Sequence, residues 1–285
     1  MDQIREKLMK YVFLAAALTA VFCVLLICVF LFANGIPAMN EIGIKNFLLG
    51  MKWSPGDIPA SYGILPMIVG SVGVTAGAII FGGPIGLLTA VFMAFYCSKK
   101  LYKLLKPSVE LLAGIPSVVY GFFGLVVLVP LIRNMLGGNG NSILTASILL
   151  GIMILPTIIG VGEAALRAVP DQYYEGALAL GATHEQSIFA VVLPAAKSGV
   201  LAGVVLGIGR AIGETMAVIM VAGNQASMPT GILKGVRTMT ANIVLEMGYA
   251  ADLHRGALIA TGVILFLFIL LINILFSLLK RRMIG

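Results

Sequence analysis

The chain has 285 residues, of which 60% are hydrophobic and 11% are charged, and its formal net charge at pH 7 is +7. This composition excludes a soluble globular domain, because a soluble protein of this length needs more charged side chains to cover its surface. The apolar residues occur in long blocks without strand-like alternation, so the sequence predicts an all-α integral membrane protein rather than an outer-membrane barrel.

Six apolar blocks are predicted to be transmembrane helices, because about 20 apolar residues span a bilayer as a helix. In chain order they cover residues 11–33, 64–96, 108–132, 142–162, 198–222 and 257–279. The first block is predicted to be a retained helix, since its apolar core is too long for a signal peptide and no small-residue cleavage site follows Ala33. Gly82, Gly83 and Pro84 interrupt the second block, and Pro116 lies in the third. Neighbouring helices can satisfy the backbone groups that such residues leave free.

Lysine and arginine residues predict the orientation of the spans. They are concentrated in residues 5–10, 99–106 and 280–282. Six spans place these three segments on one side, which the positive-inside rule assigns to the cytoplasm together with both termini. The excess positive charge is explained by this orientation and by anionic lipid near that surface.

This topology divides the chain into three parts. Residues 1–63 comprise the N-terminal cytoplasmic segment, the first helix and an outside loop; residues 64–280 hold five helices and a cytoplasmic loop; residues 281–285 form a cytoplasmic tail. The remaining outside loops are predicted at residues 133–141 and 223–256.

The cysteine and histidine residues do not predict a metal site. Cys23, Cys28 and Cys97 are scattered in or beside spans, without metal-ligand spacing or a disulfide framework. His184 and His254 are isolated, and each is predicted to be an ordinary residue of the polar surface. No basic stripe with interleaved aromatic residues occurs, so nucleic acid is not a predicted partner.

The cytoplasmic loop from Pro170 to Pro194 is predicted to be a helical hairpin. Pro170 suits the first turn of a helix, and Gly181 stands where a helix ends in a left-handed cap. Thr183 and Gln186 have the spacing of a capping box, which starts a second helix, and Pro194 closes that helix or opens the next. A hairpin that only connects two spans is one interpretation. Small residues at 176, 177, 179, 181 and 182 favour another, in which the backbone presses closely against a partner protein.

The fifth block carries two charges deep in an apolar segment, Arg210 and Glu214. Intramembrane charges are costly and normally face a partner or a cavity, and the i,i+4 spacing predicts an ion pair on one continuous helix. Gly199, Gly203 and Gly207 fall on the same face, which predicts close helix packing there. The pair either fixes helix register or belongs to the path or gate of a transported anion.

The cytoplasmic loop resembles that of ABC importer permeases, whose pattern is E-A-A, three residues, G, nine residues and I-x-L-P. The matching residues are Glu175, Gly176, Ala177, Gly181, Val191, Leu193 and Pro194, with Gly and Val in place of Ala and Ile. The resemblance implies a type I ABC importer transmembrane fold with six helices. It also implies that the loop contains the coupling helix, which seats in a cleft of an ATPase subunit.

Three further segments resemble the PstC-type permeases of phosphate-specific ABC importers. They read ELLAGIPSVVYGFFG at 110–124, GIGRAIGETMAVIMVAGN at 207–224, and YGILPMIVGSVGVT at 62–75. The resemblance implies a phosphate path or gate that includes Arg210, Glu214, Thr215 and Ser117. It also implies four kinds of neighbour: a PstA-type permease, two copies of a PstB-type ATPase, a PstS-type phosphate-binding protein and membrane lipid.

The chain lacks a G-x-x-x-x-G-K-[ST] loop, so ATP and Mg²⁺ are expected on the ATPase, with no catalysis and no cofactor on this chain. The expected location is the inner, cytoplasmic membrane of a prokaryote. Alternatives that stay open are the paired PstA-type permease and a permease for sulfate or molybdate. A membrane enzyme acting on lipid phosphates and a non-transporting scaffold are weaker alternatives.

Overall fold

A computed structural model describes the backbone of residues 2–284 and the side chains of residues 5–278. Within that range the protein is helical apart from loops and one short antiparallel strand pair, β1 (Trp53–Ser54) and β2 (Ser61–Tyr62). The α-helices are α1 (Asp2–Ile42), α2 (Ile44–Leu49), α3 (Leu65–Val91), α4 (Lys99–Gly114), α5 (Ser117–Phe123), α6 (Val129–Leu136), α7 (Ile143–Arg167), α8 (Asp171–Ala179), α9 (His184–Gln186), α10 (Leu193–Ala195), α11 (Lys197–Gly213), α12 (Met216–Val221), α13 (Met239–Glu246) and α14 (Asp252–Ile284). Single π-helical turns occur at Phe92–Tyr96, Gly124–Leu128 and Ser187–Val192.

Five helices of the described chain are long and apolar enough to cross a membrane, and a bent pair of helices makes a sixth crossing when it is counted as one span. The five are Arg5–Ile42, Leu65–Tyr96, Ser117–Leu136, Ile143–Arg167 and Asp252–Leu278; the bent pair is His184–Ala195 and Lys197–Gly213. The prediction of a six-span helical membrane protein is confirmed on this count.

Helices α3, α7 and α11 pack side by side and form the centre of the protein. The backbones approach closely because glycines lie at the contacts: a Cβ added to Gly82 of α3 would lie 2.5 Å from the carbonyl oxygen of Gly151 on α7. Helix α3 runs unbroken through Gly82, Gly83 and Pro84, so the predicted interruption is wrong.

The predicted glycine face of the fifth block is confirmed. A Cβ on Gly199 would lie 2.5 Å from Ala165, and one on Gly203 would lie 3.2 Å from Val161. Gly207 meets Ile158 at 3.1 Å in the same way. Every fourth residue of α11 therefore faces α7, and a stripe of small residues lets the two helices pack without side chains between them.

The third predicted span is displaced along the chain. Residues 108–114 belong to α4, an amphipathic helix with no buried residue, and the chain is extended at Ile115 and Pro116 before α5 begins. The crossing helix is therefore Ser117–Leu136. A proline disfavours the helical conformation of the residue before it, so Pro116 explains why the helix breaks at Ile115.

The fifth predicted span, 198–222, is not one helix. Helix α11 ends at Gly213, Glu214 is extended, and α12 begins at Met216. The axis also bends by 70° near Ala196, between the end of the hairpin and α11. The inner hairpin and the charged segment are therefore not connected by a continuous helix.

Candidate coupling surface and translocation site

The helical hairpin predicted at Pro170–Pro194 is present. Helix α8 ends at Ala179, and its C-cap Leu180 is followed by a Schellman motif. The amide of Gly181 donates to the Leu178 carbonyl at 2.9 Å, and the amide of Ala182 donates to the Ala177 carbonyl at 3.1 Å. Gly181 has φ +89°, the left-handed conformation that glycine adopts without strain. Pro170 is the N-cap of α8 rather than a residue of its first turn.

The second half of the hairpin starts with the predicted capping box. The Gln186 amide donates to the Thr183 hydroxyl at 3.2 Å, and the Thr183 amide donates to the Gln186 side-chain oxygen at 2.9 Å. His184 is the next residue after Thr183, and its Nδ1 atom lies 2.7 Å from the Tyr174 hydroxyl. His184 is partly buried, so its prediction as an ordinary surface residue is wrong. This contact ties the two arms of the hairpin together.

The hairpin exposes small residues together with large apolar side chains, of which Leu180 is the most exposed. Glu175, Gly176 and Gly181 are exposed, and nothing lies within 4 Å of a Cβ added to either glycine. Leu180 at the turn is 92% exposed. Such exposure of a leucine at the tip of a small-residue surface suits insertion into a pocket of another protein. Leu180 was not among the predicted site residues, although a large apolar residue directly before the capping glycine was a signal for it.

The remaining motif residues anchor the hairpin to the helix bundle. Ala177 is buried, and Val191 and Leu193 are half-buried, whereas Pro194 is exposed. Leu193 packs against an apolar cluster that includes Leu166 at the inner end of α7 and Ile188 in the hairpin. The motif therefore has exposed members, Glu175, Gly176 and Gly181, and members such as Ala177 and Leu193 that hold the hairpin in place.

The predicted ion pair between Arg210 and Glu214 is absent from the described side chains. Because the helix ends at Gly213, the two residues no longer have i,i+4 geometry. The carboxylate of Glu214 instead accepts hydrogen bonds from the amides of Thr215 and Ala217, both at 3.2 Å. An acidic side chain there satisfies free amides and complements the positive end of the helix dipole, so Glu214 caps α12.

Arg210 is partly exposed, and within residues 5–278 its guanidinium has no ion pair and no hydrogen bond. An arginine in an apolar segment whose donors are unused is suited to an oxyanion, because the planar fork of N–H groups matches carboxylate and phosphate geometry.

Helix α5 begins at Ser117 and packs along α12. Gly121 packs against Ala217 and Met220, and Gly124 packs against Val221, so α5 and α12 run in the same direction. Thr215 lies at the break itself, where its hydroxyl donates to the Gly213 carbonyl at 3.3 Å. Arg210, Glu214 and Thr215 thus lie at the interruption in the fifth span or within one turn of it, and Ser117 is the first residue of the helix that packs on α12.

The outer helix α13 supports this interruption. The Thr240 hydroxyl donates to the Glu214 carbonyl at 3.2 Å, and it lies 3.1 Å from the Thr238 hydroxyl. The carbonyl that the broken helix leaves free thus has a partner from a segment 26 residues later. The sequence offered no signal for this contact.

An outer charge cluster, formed by Trp53, Arg237, Glu246 and His254, holds the outside loops together. Glu246 is 6% exposed and accepts from the Trp53 indole at 2.8 Å; it also pairs with Arg237 at 2.5 Å and lies 2.8 Å from Nε2 of His254. His254 was predicted to be an ordinary surface residue, and that prediction is wrong. The cluster links β1, α13 and the start of α14.

A second cluster, the inner clamp, lies at the opposite end and was also missed. Glu163 on α7 is 1% exposed and accepts from three donors: the Tyr102 hydroxyl at 2.7 Å, Nζ of Lys106 at 2.9 Å and Nε of Arg167 at 2.8 Å. Nη2 of Arg167 also donates to the Met93 carbonyl at 2.7 Å. The only sequence signal was an i,i+4 Glu–Arg pair at the end of the fourth block.

A helical membrane domain with an inner hairpin of this form is the transmembrane fold of a type I ABC importer. Solved structures share it: the inward-facing MetNI methionine ABC transporter matches with a TM-score of 0.62 at 21% identity over 77% of this chain and 95% of that one. A bacterial alginate ABC transporter matches with a TM-score of 0.57 at 18% identity over 96% of both chains.

The family model of binding-protein-dependent transport system inner membrane components matches residues 82–285, and the chain belongs to this family. It is 39% identical to the probable ABC transporter permease protein YqgH of Bacillus subtilis, over 97% of this chain and 92% of that protein. It is 35% identical to the phosphate transport system permease protein PstC of Mesorhizobium japonicum, over 86% of this chain and 81% of that one. The protein is thus a multi-pass membrane permease of a prokaryotic ABC importer.

Proposed function

We propose that this chain is a permease subunit of an ATP-driven phosphate importer, which forms the phosphate path together with a second permease subunit. Similarity to proteins named as phosphate permeases, at 30–35% identity over most of the chain, supports this cargo. Transport proceeds by alternating access, in which the two sides of the path open in turn.

The observation that carries the choice of an anion is the state of Arg210. Glu214, the nearest acidic residue along the chain, has its carboxylate occupied in capping α12. The guanidinium of Arg210 is thus free to bind a tetrahedral oxyanion at the break, where the Thr215 hydroxyl also lies; Ser117, at the start of the helix that packs on α12, completes the proposed path. In this proposal Glu214 keeps the backbone in the shape that presents Arg210.

The energy for transport comes from partners. We assign ATP and Mg²⁺ to two copies of a PstB-type ATPase, and this chain acts without a cofactor of its own. The exposed surface from Glu175 to Gly181, with Leu180 at its tip, docks into the ATPase. A PstA-type permease lies beside the chain, and a PstS-type binding protein delivers phosphate to the outer loops.

The test is phosphate uptake by the complete complex in vesicles, with Arg210→Gln as the variant. Loss of one or two charge-assisted hydrogen bonds predicts uptake about 10- to 100-fold slower. Arg133→Gln is the matched control, because Arg133 bonds only the Asn139 carbonyl at the outer end of α6 within the described chain. Normal phosphate uptake by an assembled Arg210→Gln complex contradicts the proposed site.

The same vesicles test the alternative cargo. Wild-type complexes are supplied with labelled phosphate outside, and sulfate or molybdate is added as a competitor. Uptake of sulfate in place of phosphate replaces the phosphate proposal with a permease for another oxyanion, and it leaves the role of Arg210 intact.

A further inference from the structure

The inner clamp lies where the coupling hairpin meets the membrane helices. Glu163 is on the last turns of α7, and Arg167 is the last residue of that helix, just before Pro170 opens the hairpin. Tyr102 and Lys106 come from α4, which is connected to the inner end of α3. Helices α4 and α7 are therefore joined directly at one buried carboxylate, and Arg167 extends the connection to the Met93 carbonyl after α3.

The clamp connects α4 to a buried carboxylate on α7 through two hydrogen bonds. None of the residues of this helix is buried, and its lysine-rich face is exposed. By contrast, Tyr102 and Lys106 both reach a carboxylate that is 1% exposed. The Arg167 guanidinium also stacks 4.9 Å above the Tyr102 ring. Since its apolar side chains are at most half-buried, the polar contacts of α4 contribute strongly to fixing its position.

A buried ion pair is a poor device for stability alone. Taking a carboxylate and an ammonium out of water costs about as much as their attraction returns, and apolar residues of similar size are often as stable. What a fully satisfied polar cluster adds is a single defined arrangement of the elements that it joins. The cost of burying Glu163 is therefore explained if the relative position of α4 and α7 matters to the function.

The position of α4 matters because this helix leads directly into α5. Helix α4 ends at Gly114, the chain is extended at Ile115 and Pro116, and Ser117 then begins α5. Helix α5 packs directly on α12, beside the break that holds Arg210 and Glu214. The route along the chain from the hairpin into α11 is bent by 70° and interrupted again at Glu214, so it is not a single rigid rod.

We infer that Glu163 is a positioning residue that couples the hairpin to the translocation site. The clamp passes movement of α7 and the hairpin to α4, and α4 passes it through Ile115 and Pro116 to α5. This inference rests on the proposed function, because it requires that the hairpin receives movement from an ATPase.

The experiment compares Lys106→Met with Lys103→Met in the complete complex in vesicles. Both lysines lie on α4, but Lys103 is exposed and has no ion pair among the described side chains. The measurement is the number of phosphate ions imported per ATP hydrolysed, together with stimulation of ATP hydrolysis by the binding protein. Residues on a coupling route change coupling by about 2- to 30-fold, so Lys106→Met should lower both ratios by that factor. Lys103→Met should not.

Two further variants separate coupling from folding. Lys106→Arg keeps a cation that reaches Glu163, so it should restore the wild-type ratios. Glu163→Gln should lower them, and if that variant fails to assemble, Lys106→Met and Lys106→Arg decide the question. Wild-type ratios in assembled Lys106→Met complexes overturn the inference, even if fewer complexes form. Failure of the wild-type complex to import phosphate overturns the proposed function instead, while stimulation of ATP hydrolysis still reports on the clamp.

Discussion

Substitution of Gly181 tests the coupling surface through the conformational preference of the backbone alone, without a steric clash. A Cβ at this position meets nothing within 4 Å, so Gly181→Ala introduces no clash. Its φ of +89° is unfavourable for any L residue, and the left-handed conformation costs alanine about 1–2 kcal/mol. That free energy corresponds to about 5- to 30-fold in the ratio of closed to open hairpin.

Hydrogen exchange of the amides of residues 181 and 182 measures this ratio, since both donate within the Schellman motif. We expect both amides to exchange about 5- to 30-fold faster in Gly181→Ala than in the wild type, with a smaller change for Gly181→Asn, because asparagine tolerates the left-handed region. Gly176→Ala is the matched control: Gly176 is helical and open to solvent, so alanine should leave exchange unchanged or slow it. Equal exchange in the wild type and Gly181→Ala refutes the assignment of Gly181 as the required left-handed cap.

Three further outcomes are expected from contacts elsewhere. Gly82→Ala should destabilise the permease by about 1–3 kcal/mol, because its Cβ would overlap a carbonyl of α7. Gly83→Ala is the control and should be neutral, because the nearest atom to its Cβ is 3.6 Å away. Equal thermal midpoints of the two variants in detergent would contradict this packing. Glu246→Ala should cost about 3–5 kcal/mol, because it removes the ion-pair partner of the Arg237 guanidinium, which keeps only its hydrogen bonds to Asn224 and Asn242. A midpoint close to that of the wild type would show that the cluster is dispensable. The hydrogen bond to Glu163 raises the pKa of Lys106 above its ordinary 10.5. Its contribution to stability is therefore fully present below pH 10.5 and is lost as pH rises through the raised pKa. The midpoint difference between the wild type and Lys106→Met should stay constant from about pH 7 to about pH 10, and a change within that range counts against the clamp.

The sequence predicted the features that depend on neighbouring residues. The hairpin is determined by a glycine that ends one helix and a Thr–Gln capping box that starts the next, and both signals act within a few residues. The packing face of α11 is determined by glycine at every fourth position. In each case the residues that determine the structure are close together along the chain, so their pattern is sufficient.

The sequence did not predict the break at Glu214, because the competing contacts come from elsewhere. The segment around Arg210 is apolar and helix-compatible, and i,i+4 spacing favoured an ion pair. The alternative is stabilised by the cap on α12 and by Thr240, which reaches the Glu214 carbonyl from α13. A contact over 26 residues overrides the local preference, as tertiary contacts commonly do.

The inner clamp and the outer charge cluster escaped prediction for the same reason. The partners of Glu163 on α4 lie 57 and 61 residues away along the chain, and Trp53 and Glu246 are 193 residues apart. Long-range polar pairs have no period in the sequence. A single buried carboxylate in each cluster is what distinguishes it, and burial becomes visible only when the helices are assembled.

The break at Glu214 also changes how coupling must work. A continuous fifth span would move its charged residues together with the hairpin, and no other connection would be needed. With the axis bent near Ala196 and the helix interrupted at Glu214, α11 and α12 are not one rigid element. Movement can instead cross between helices, and α5 both packs on α12 and connects directly to α4. The helix break beside Arg210 and the buried clamp at the hairpin are therefore related. Because the fifth span is not one rigid helix, side-chain contacts between helices are needed to carry movement to the anion site.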